Sequence, residues 1–303
     1  MVINSTQAPC QRLDRRQIEN RLSGCPCLPS LGSIGSALKE LLDADQRYTS
    51  QIADIIRKDP SLTARLLRLV NTVHYGISKR IKNIEEAVFY LGTRQIRQLA
   101  MVTPIIEDFQ VLTGRTRLEW RGFWQHCIGT ALITREVYDM AQPPCGEADY
   151  VSGLIHDVGK IAMASAFPEH FAEIYLHRTE AEMELMELER EVLGMDHAEL
   201  GAIYLQRQSL PDVFVEVVQF HHAPAKAPNY GAVAAAVQVS DLIVQEAKVG
   251  YSGRLALPND EMWIQTEGWK MLFGHQTPEE NALTRASIKH SLKNLPVMLE
   301  ALL

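Results

Sequence analysis

The sequence has no CxxC pair: its five cysteines (Cys10, Cys25, Cys27, Cys127 and Cys145) are odd in number and scattered along 303 residues. A thiolate zinc knuckle, a CxxC redox site and a disulfide framework are therefore set aside, and the cysteines read as reduced thiols. Nor is there an uninterrupted apolar run of about 18 residues, the length that spans a bilayer. The most apolar stretches, 151–167 and 231–244, are broken by His156, Asp157, Lys160, Gln238 and Asp241. The first residues lack a basic region followed by an apolar run, so no secretory signal is expected. These absences set a membrane protein aside and make a cytoplasmic location the expectation.

Several catalytic templates are missing too. Neither a GxSxG nucleophile elbow nor a GxGxxG dinucleotide fingerprint occurs. The apparent phosphate loop from Gly153 to Gly159-Lys160 has one intervening residue too many and Ile161 where Ser or Thr is needed. No run of alternating β-branched residues suggests a strand.

What is present is an ordinary globular composition, 46 % hydrophobic and 22 % charged, in a chain long enough for one large or two ordinary domains. The net charge of −7 conceals an asymmetry: residues 1–115 carry 16 Lys+Arg against 11 Asp+Glu, whereas 116–303 carry 14 against 26. This split predicts two halves. A mildly basic half in an acidic protein is a weak footprint for nucleic acid, so that function ranks low.

Helical periodicity and punctuation divide the chain further. Residues 1–24 read as an extension, loose or with a short helix, carrying a basic patch at Arg15, Arg16 and Arg21. In 25–115, Leu62, Leu66, Leu69, Val70 and Val73 form one buried stripe after Asp59-Pro60, and Asn83, Gly92 and Thr93 punctuate short helices. A second helical lobe, 116–250, contains helices over 123–140 and 153–164 and an acidic segment through Arg190. Asp196 with Glu199 makes a capping-box-like start for a helix over 197–208, and Pro211 opens another up to His222. Residues 251–303 read as irregular and then helical from Thr277-Pro278-Glu279-Glu280, packed on the second lobe. The fold class is all-α, a two-lobed helical protein with a bundle in the second lobe.

Chemistry concentrates in that second lobe. His126, the His156-Asp157 dipeptide, His197, the His221-His222 dipeptide and Asp241 fall on consecutive helices, which a bundle can aim at one point. Such a mixed nitrogen and oxygen donor set suits Mn, Fe, Co, Ni or Zn better than Ca. Two bridged metals would activate water and relieve negative charge in phosphoester hydrolysis, with Asp157 the natural bridge. Lys160, four residues after His156 and three after Asp157, falls on roughly the same helix face, where its ammonium could hold a phosphate. Spacing alone favours a plainer assignment, hydrogen-bonded structural histidines. His74, His170, His177, His275 and His290 have no carboxylate companions and are assigned to structure. The run 178–191, with six glutamates, reads as a solvated helix face with Met183, Met186 and Leu193 as its buried side.

The strings "DPSLTARLLRLVNTVHYGISKRIKNIEEAVFYLGTRQIRQLAM", "FWQHC", "GLIHDVGK", "GMDHAELGA", "LPDVFVEVVQFHHAP" and "VQVSDLI" resemble the HDOD family, the HD-related output domains, over roughly residues 25–250. The first string is the family's most particular signature. The resemblance implies a helical fold related to the HD superfamily of metal-dependent phosphohydrolases and a role in bacterial signalling. It also implies that His126, His156, Asp157, His197, His221, His222 and Asp241 match the superfamily's metal positions, and that Lys160 matches the lysine of HD-x-G-K. A divalent metal (Fe, Mn, Ni or Zn), one ion or two, is the cofactor so implied, and the resemblance outweighs the plainer assignment of these histidines. After His221-His222, however, "APAKAPNYGA" lacks the glutamate and Gly-Tyr-Pro stretch of HD-GYP phosphodiesterases, and Gly122 stands where some of those relatives place another glutamate ligand. Those departures speak against cyclic di-nucleotide hydrolysis and leave a two-metal site open.

The first expectation is thus a regulatory module that acts by binding a signalling protein or a nucleotide ligand. The alternative is an active phosphohydrolase on a nucleotide or cyclic nucleotide, with Asp157 and Lys160 as its catalytic residues.

Overall fold

The structure is a computed structural model that describes residues 10–24, 81, 86–87, 119–142, 148–177, 184–251 and 261–302. The proposed 25–115 lobe, including the Asp59 to Met101 signature, lies almost wholly outside the described residues, as does His74. Among the described residues only helices and turns occur, so the all-α class holds.

Helix α1 (Arg15–Ser23) starts at a reciprocal capping box, in which Asp14 accepts from the Gln17 amide and Gln17 answers the Asp14 amide. Its Ile18 and Leu22, four residues apart, form the buried face that packs on α4 (Val158–Ala166). Helix α2 (Trp120–Ala141) is buried around most of its circumference, from Phe123 and His126 to Val137 and Tyr138, and is the axial helix of the bundle. Against it pack α3 (Ala148–Ile155), α9 (Gly231–Glu246) and α11 (Pro278–Leu302).

The remaining layer comprises α5 (Pro168–His177), α6 (Leu185–Val192), α7 (His197–Arg207) and α8 (Asp212–Phe220). Helix α7 packs on both α4 and α8, and its crossing with α4 is close because two glycines meet there. A Cβ on Gly201 would stand 3.0 Å from the amide nitrogen of Gly159. Gly194, just before α7, has φ +105°, a conformation that favours glycine.

Beyond α9, Trp263, Trp269 and Phe273 form an aromatic chain with ring centroids 4.9 and 4.5 Å apart. It anchors α10 (Glu267–Phe273), capped by Thr266, against α9. Thr277 and Glu280 cap α11 reciprocally, as the sequence motif predicts. No helix among the described residues is long and apolar enough to cross a membrane.

One helix expected from periodicity is two. The segment 153–164 contains no proline to stop a helix, but α3 stops at Ile155 and α4 begins at Val158. The His156 ring is hydrogen-bonded to the Gly153 carbonyl at 2.8 Å, closing a turn between them.

Candidate metal centre

The candidate ligands come from α2, the break between α3 and α4, α7, the end of α8, and α9. His126 lies on the buried face of α2, and His156 and Asp157 occupy the break between α3 and α4. Asp157 stands at the N-cap of α4, where an aspartate usually accepts from the helix amides, yet its side chain makes no capping bond. The carboxylate is turned toward the histidines instead. His197 is the first residue of α7, fixed by Asp196, whose side chain caps the Glu199 amide at 2.9 Å. His221 ends α8, His222 follows it, and Asp241 sits within α9.

All seven converge. His126 Nε2 lies 3.0 Å from Asp241 Oδ1 and 3.9 Å from Asp157 Oδ2. His156 Nε2 is 3.4 Å from Asp157 Oδ2 and 3.7 Å from Asp241 Oδ1. On the other side, His197 Nε2 is 3.4 Å from Asp157 Oδ1 and 2.9 Å from His222 Nε2. Ring centroids of His156 and His221 are 5.3 Å apart, and those of His221 and His222 3.9 Å. Two groups of three donors result, His126 with His156 and Asp157, and His197 with His221 and His222, each with its ligand atoms within 4.8 Å of one another. Asp157, with one oxygen toward each group, stands between them.

The imidazoles are held in the form that binds cations. Nδ1 of His156 pairs with the Gly153 carbonyl and Nδ1 of His221 with the Val218 carbonyl, both at 2.8 Å. A carbonyl only accepts, so each Nδ1 carries a proton and Nε2 is the ring nitrogen turned toward the cluster. Those two Nε2 atoms are buried without a hydrogen-bond partner, an arrangement that costs free energy unless a partner is supplied. Burial, followed by His156 and His197, pushes His221 down to about 3, and burial with His221 pushes His222 well below its usual value. Both are neutral at pH 7, as coordination requires.

The oxygen donors are charged. Burial opposes ionisation of Asp157, but Lys160 and then His156 hold it below the usual carboxylate range. Burial likewise opposes ionisation of Asp241, and the neighbouring His126 and then His156 overcome it, holding it well below the usual carboxylate range. Lys160 Nζ is 2.6 Å from Asp157 Oδ2, and after the opposing effect of burial Asp157 raises its pKa. His156 is also raised, because Asp157 and Asp241 outweigh its burial. Orphaned Nε2 atoms, two ionised carboxylates and a donor set without sulfur together fit a divalent cation of the borderline class.

Sequence reasoning missed three residues. Glu189, assigned to a solvated face, is 1 % exposed and accepts from both the His197 amide (2.8 Å) and His197 Nδ1 (2.6 Å). Gln245 donates to Asp241 Oδ1 at 2.6 Å. Gln238 donates to the His222 carbonyl at 2.8 Å and accepts from the Gly268 amide, tying α10 to that candidate ligand. Of the expected buried side of the acidic run, Leu193 is buried, Met186 half-buried, and Met183 outside the described residues. Among the histidines assigned to structure, His170 is buried with Nε2 on the Gln11 carbonyl.

A helical bundle with a His and Asp cluster at its centre defines an HD-like fold. More particularly, the chain belongs to the HDOD family, whose domain model matches residues 28–224. It is similar to the crystal structure of an HDOD domain protein of unknown function from Geobacter sulfurreducens, with TM-score 0.80 and 24 % identity over 96 % of this chain and 99 % of that one. A candidate phosphohydrolase from Shewanella amazonensis gives TM-score 0.68 at 20 % identity, covering 94 % and 98 %. An uncharacterized protein of Treponema pallidum is 29 % identical over 220 residues, 70 % of this chain, and the chain spans 40 % of that relative's length.

Proposed function

We propose that this chain is a regulatory HDOD module of bacterial signal transduction whose HD-like bundle holds a structural centre of one or two divalent metal ions, Fe, Mn, Ni or Zn. It acts by binding a signalling protein or a nucleotide ligand in the cytoplasm. His126, His156, Asp157, His197, His221, His222 and Asp241 would hold the metal.

One observation carries this reading: a complete donor set beside a space that, among the described residues, holds about one water. The space lined by Lys160, Met186, His197, His222, Asp241 and Gln245 measures about 20 Å³. That accommodates about one water. Lys160, the one candidate phosphate-binding cation of the motif, is engaged by Asp157.

The alternative, a phosphohydrolase on a nucleotide or cyclic nucleotide, is favoured by the placement of Asp157 between two donor groups. A bound metal pair would supply an activated water and relief of negative charge. Lys160 would then have to release Asp157 to meet a phosphate.

Elemental analysis of the purified chain, followed by assay of the same sample on bis(p-nitrophenyl) phosphate and cyclic dinucleotides, tests the choice. Near-stoichiometric metal without turnover is expected, and Asp157→Ala should strip the metal. Turnover that disappears in Asp157→Ala would replace the regulatory reading with the hydrolase. Unchanged metal in Asp157→Ala would show that the ligand assignment is wrong.

A further inference from the structure

We propose that Glu189 is a positioning residue of the metal centre: its carboxylate fixes His197 in the tautomer and orientation that aim Nε2 at the metal position. The proposal rests on the metal-centre reading above and extends it to a residue outside the seven ligands.

Glu189 belongs to α6, whose Glu184, Glu187 and Glu191 are exposed. It alone of the four turns inward, to 1 % exposure, although burying a carboxylate is costly unless its oxygens are satisfied. Its Oε2 takes both the His197 amide proton and the proton on Nδ1, at 2.8 and 2.6 Å. Because a carboxylate only accepts here, Nδ1 bears a hydrogen, and Nε2 is the atom turned toward Asp157 Oδ1 at 3.4 Å and His222 Nε2 at 2.9 Å. His156 and His221 obtain the same tautomer from backbone carbonyls, so His197 is the only one of these three oriented by a charged group. A charged acceptor strengthens the donor nitrogen on the far side of the ring, and such outer partners typically contribute about 10–100-fold in metal affinity.

Glu189 is itself held from behind. Its carbonyl accepts from the Leu193 amide at 2.8 Å, and the Leu193 carbonyl accepts from the Leu13 amide at 3.0 Å. These bonds hold the main chain of α6 at Glu189 and tie its end to the segment before α1.

A merely structural role, supporting the first turn of α7, needs an acceptor but no charge. Glu189→Gln and Glu189→Asp separate the two, with Glu187→Gln as the exposed control. Affinity of the metal-free full chain for Zn²⁺ or Mn²⁺ is measured by chelator competition, beside the metal-free melting temperature. Glu189→Gln should lose about 10–100-fold in affinity, Glu189→Asp should recover part of it, and Glu187→Gln should match the wild type. Affinity of Glu189→Gln within twofold of the wild type overturns the proposal while leaving the metal centre standing. A wild type that takes up no metal overturns the metal-centre reading and this proposal with it. Should Glu189→Gln not fold, nitrogen NMR of the metal-free wild type decides: a proton on His197 Nδ1 is expected, and a proton on Nε2 with Nδ1 bare overturns the assignment.

Discussion

Lys160 Nζ lies 2.6 Å from Asp157 Oδ2, and both side chains are buried. The pair leaves Asp157 charged in a place where water cannot solvate it, with the ammonium as its compensating charge. Removing one partner of such a pair costs about 3–5 kcal/mol, because the other is left uncompensated. A divalent ion beside Asp157 would take over that compensation. Lys160→Met should therefore destabilise the metal-free protein by about that amount and the metal-loaded protein by clearly less. Urea unfolding of both forms checks it, and equal losses in the two would mean that Asp157 does not face the metal.

Acid should act on the metal-free protein before its carboxylates protonate. His221, held at about 3, and His222, held well below its usual value, remain neutral when folded, while an unfolded imidazole takes up a proton near its ordinary value of 6.5. Below pH 6.5 the unfolded chain binds more protons, so the stability contributed by these two is complete above 6.5 and declines as pH falls toward 3. His156, displaced upward, contributes in the opposite sense and works against them. Asp157 and Asp241, displaced downward, add a loss that begins below about pH 4. The urea midpoint of metal-free protein should fall between pH 7.5 and 5; a rise over that interval would contradict these protonation states.

The residues that announced themselves were those whose local role repeats everywhere. Asp196 with Glu199 and Thr277 with Glu280 are capping motifs, and both cap as expected. The helix expected over 123–140 is α2, Trp120–Ala141. The break at His156-Asp157 was hidden because its cause is a side chain closing on the Gly153 carbonyl, with no proline to mark it. Glu189 was hidden among six glutamates, although a signal existed. Leu185, Leu188 and Val192 follow at i, i+3 and i+7, and Glu189 fills the i+4 position of that inward stripe. A charge at a core position is the mark of a paired group.

The docking of α1 is apolar rather than electrostatic. Ile18 is fully buried, whereas Arg21 and Glu169, which pair through two contacts, are 40 % and 43 % exposed. Arg21 also lies over the Phe167 ring at 5.1 Å. Ile18→Ala should cost about 2–5 kcal/mol through the cavity it leaves. Glu169→Ala should cost about 1 kcal/mol or less, and still less at high salt. Comparable losses in thermal unfolding of the two variants would reverse this ranking.

Gly159 sits inside the HD-x-G-K string, yet its contacts give it a packing role. A Cβ there would stand 1.8 Å from the His197 carbonyl oxygen and 2.8 Å from the Gly201 amide nitrogen. Both obstacles are backbone, so no rotamer change relieves the clash, and α4 and α7 would have to separate. Those helices carry Asp157 and His197, whose donor atoms now stand 3.4 Å apart. Gly159→Ala should thus exceed the roughly 1–3 kcal/mol of ordinary overpacking and lose metal as well as stability. At Gly201 the nearest obstacle is a methyl of Val218, at 2.8 Å. Gly201→Ala should then be milder in melting temperature and keep more of its metal. If Gly159→Ala melts like the wild type with full metal content, the close crossing is not what brings the two candidate ligands together.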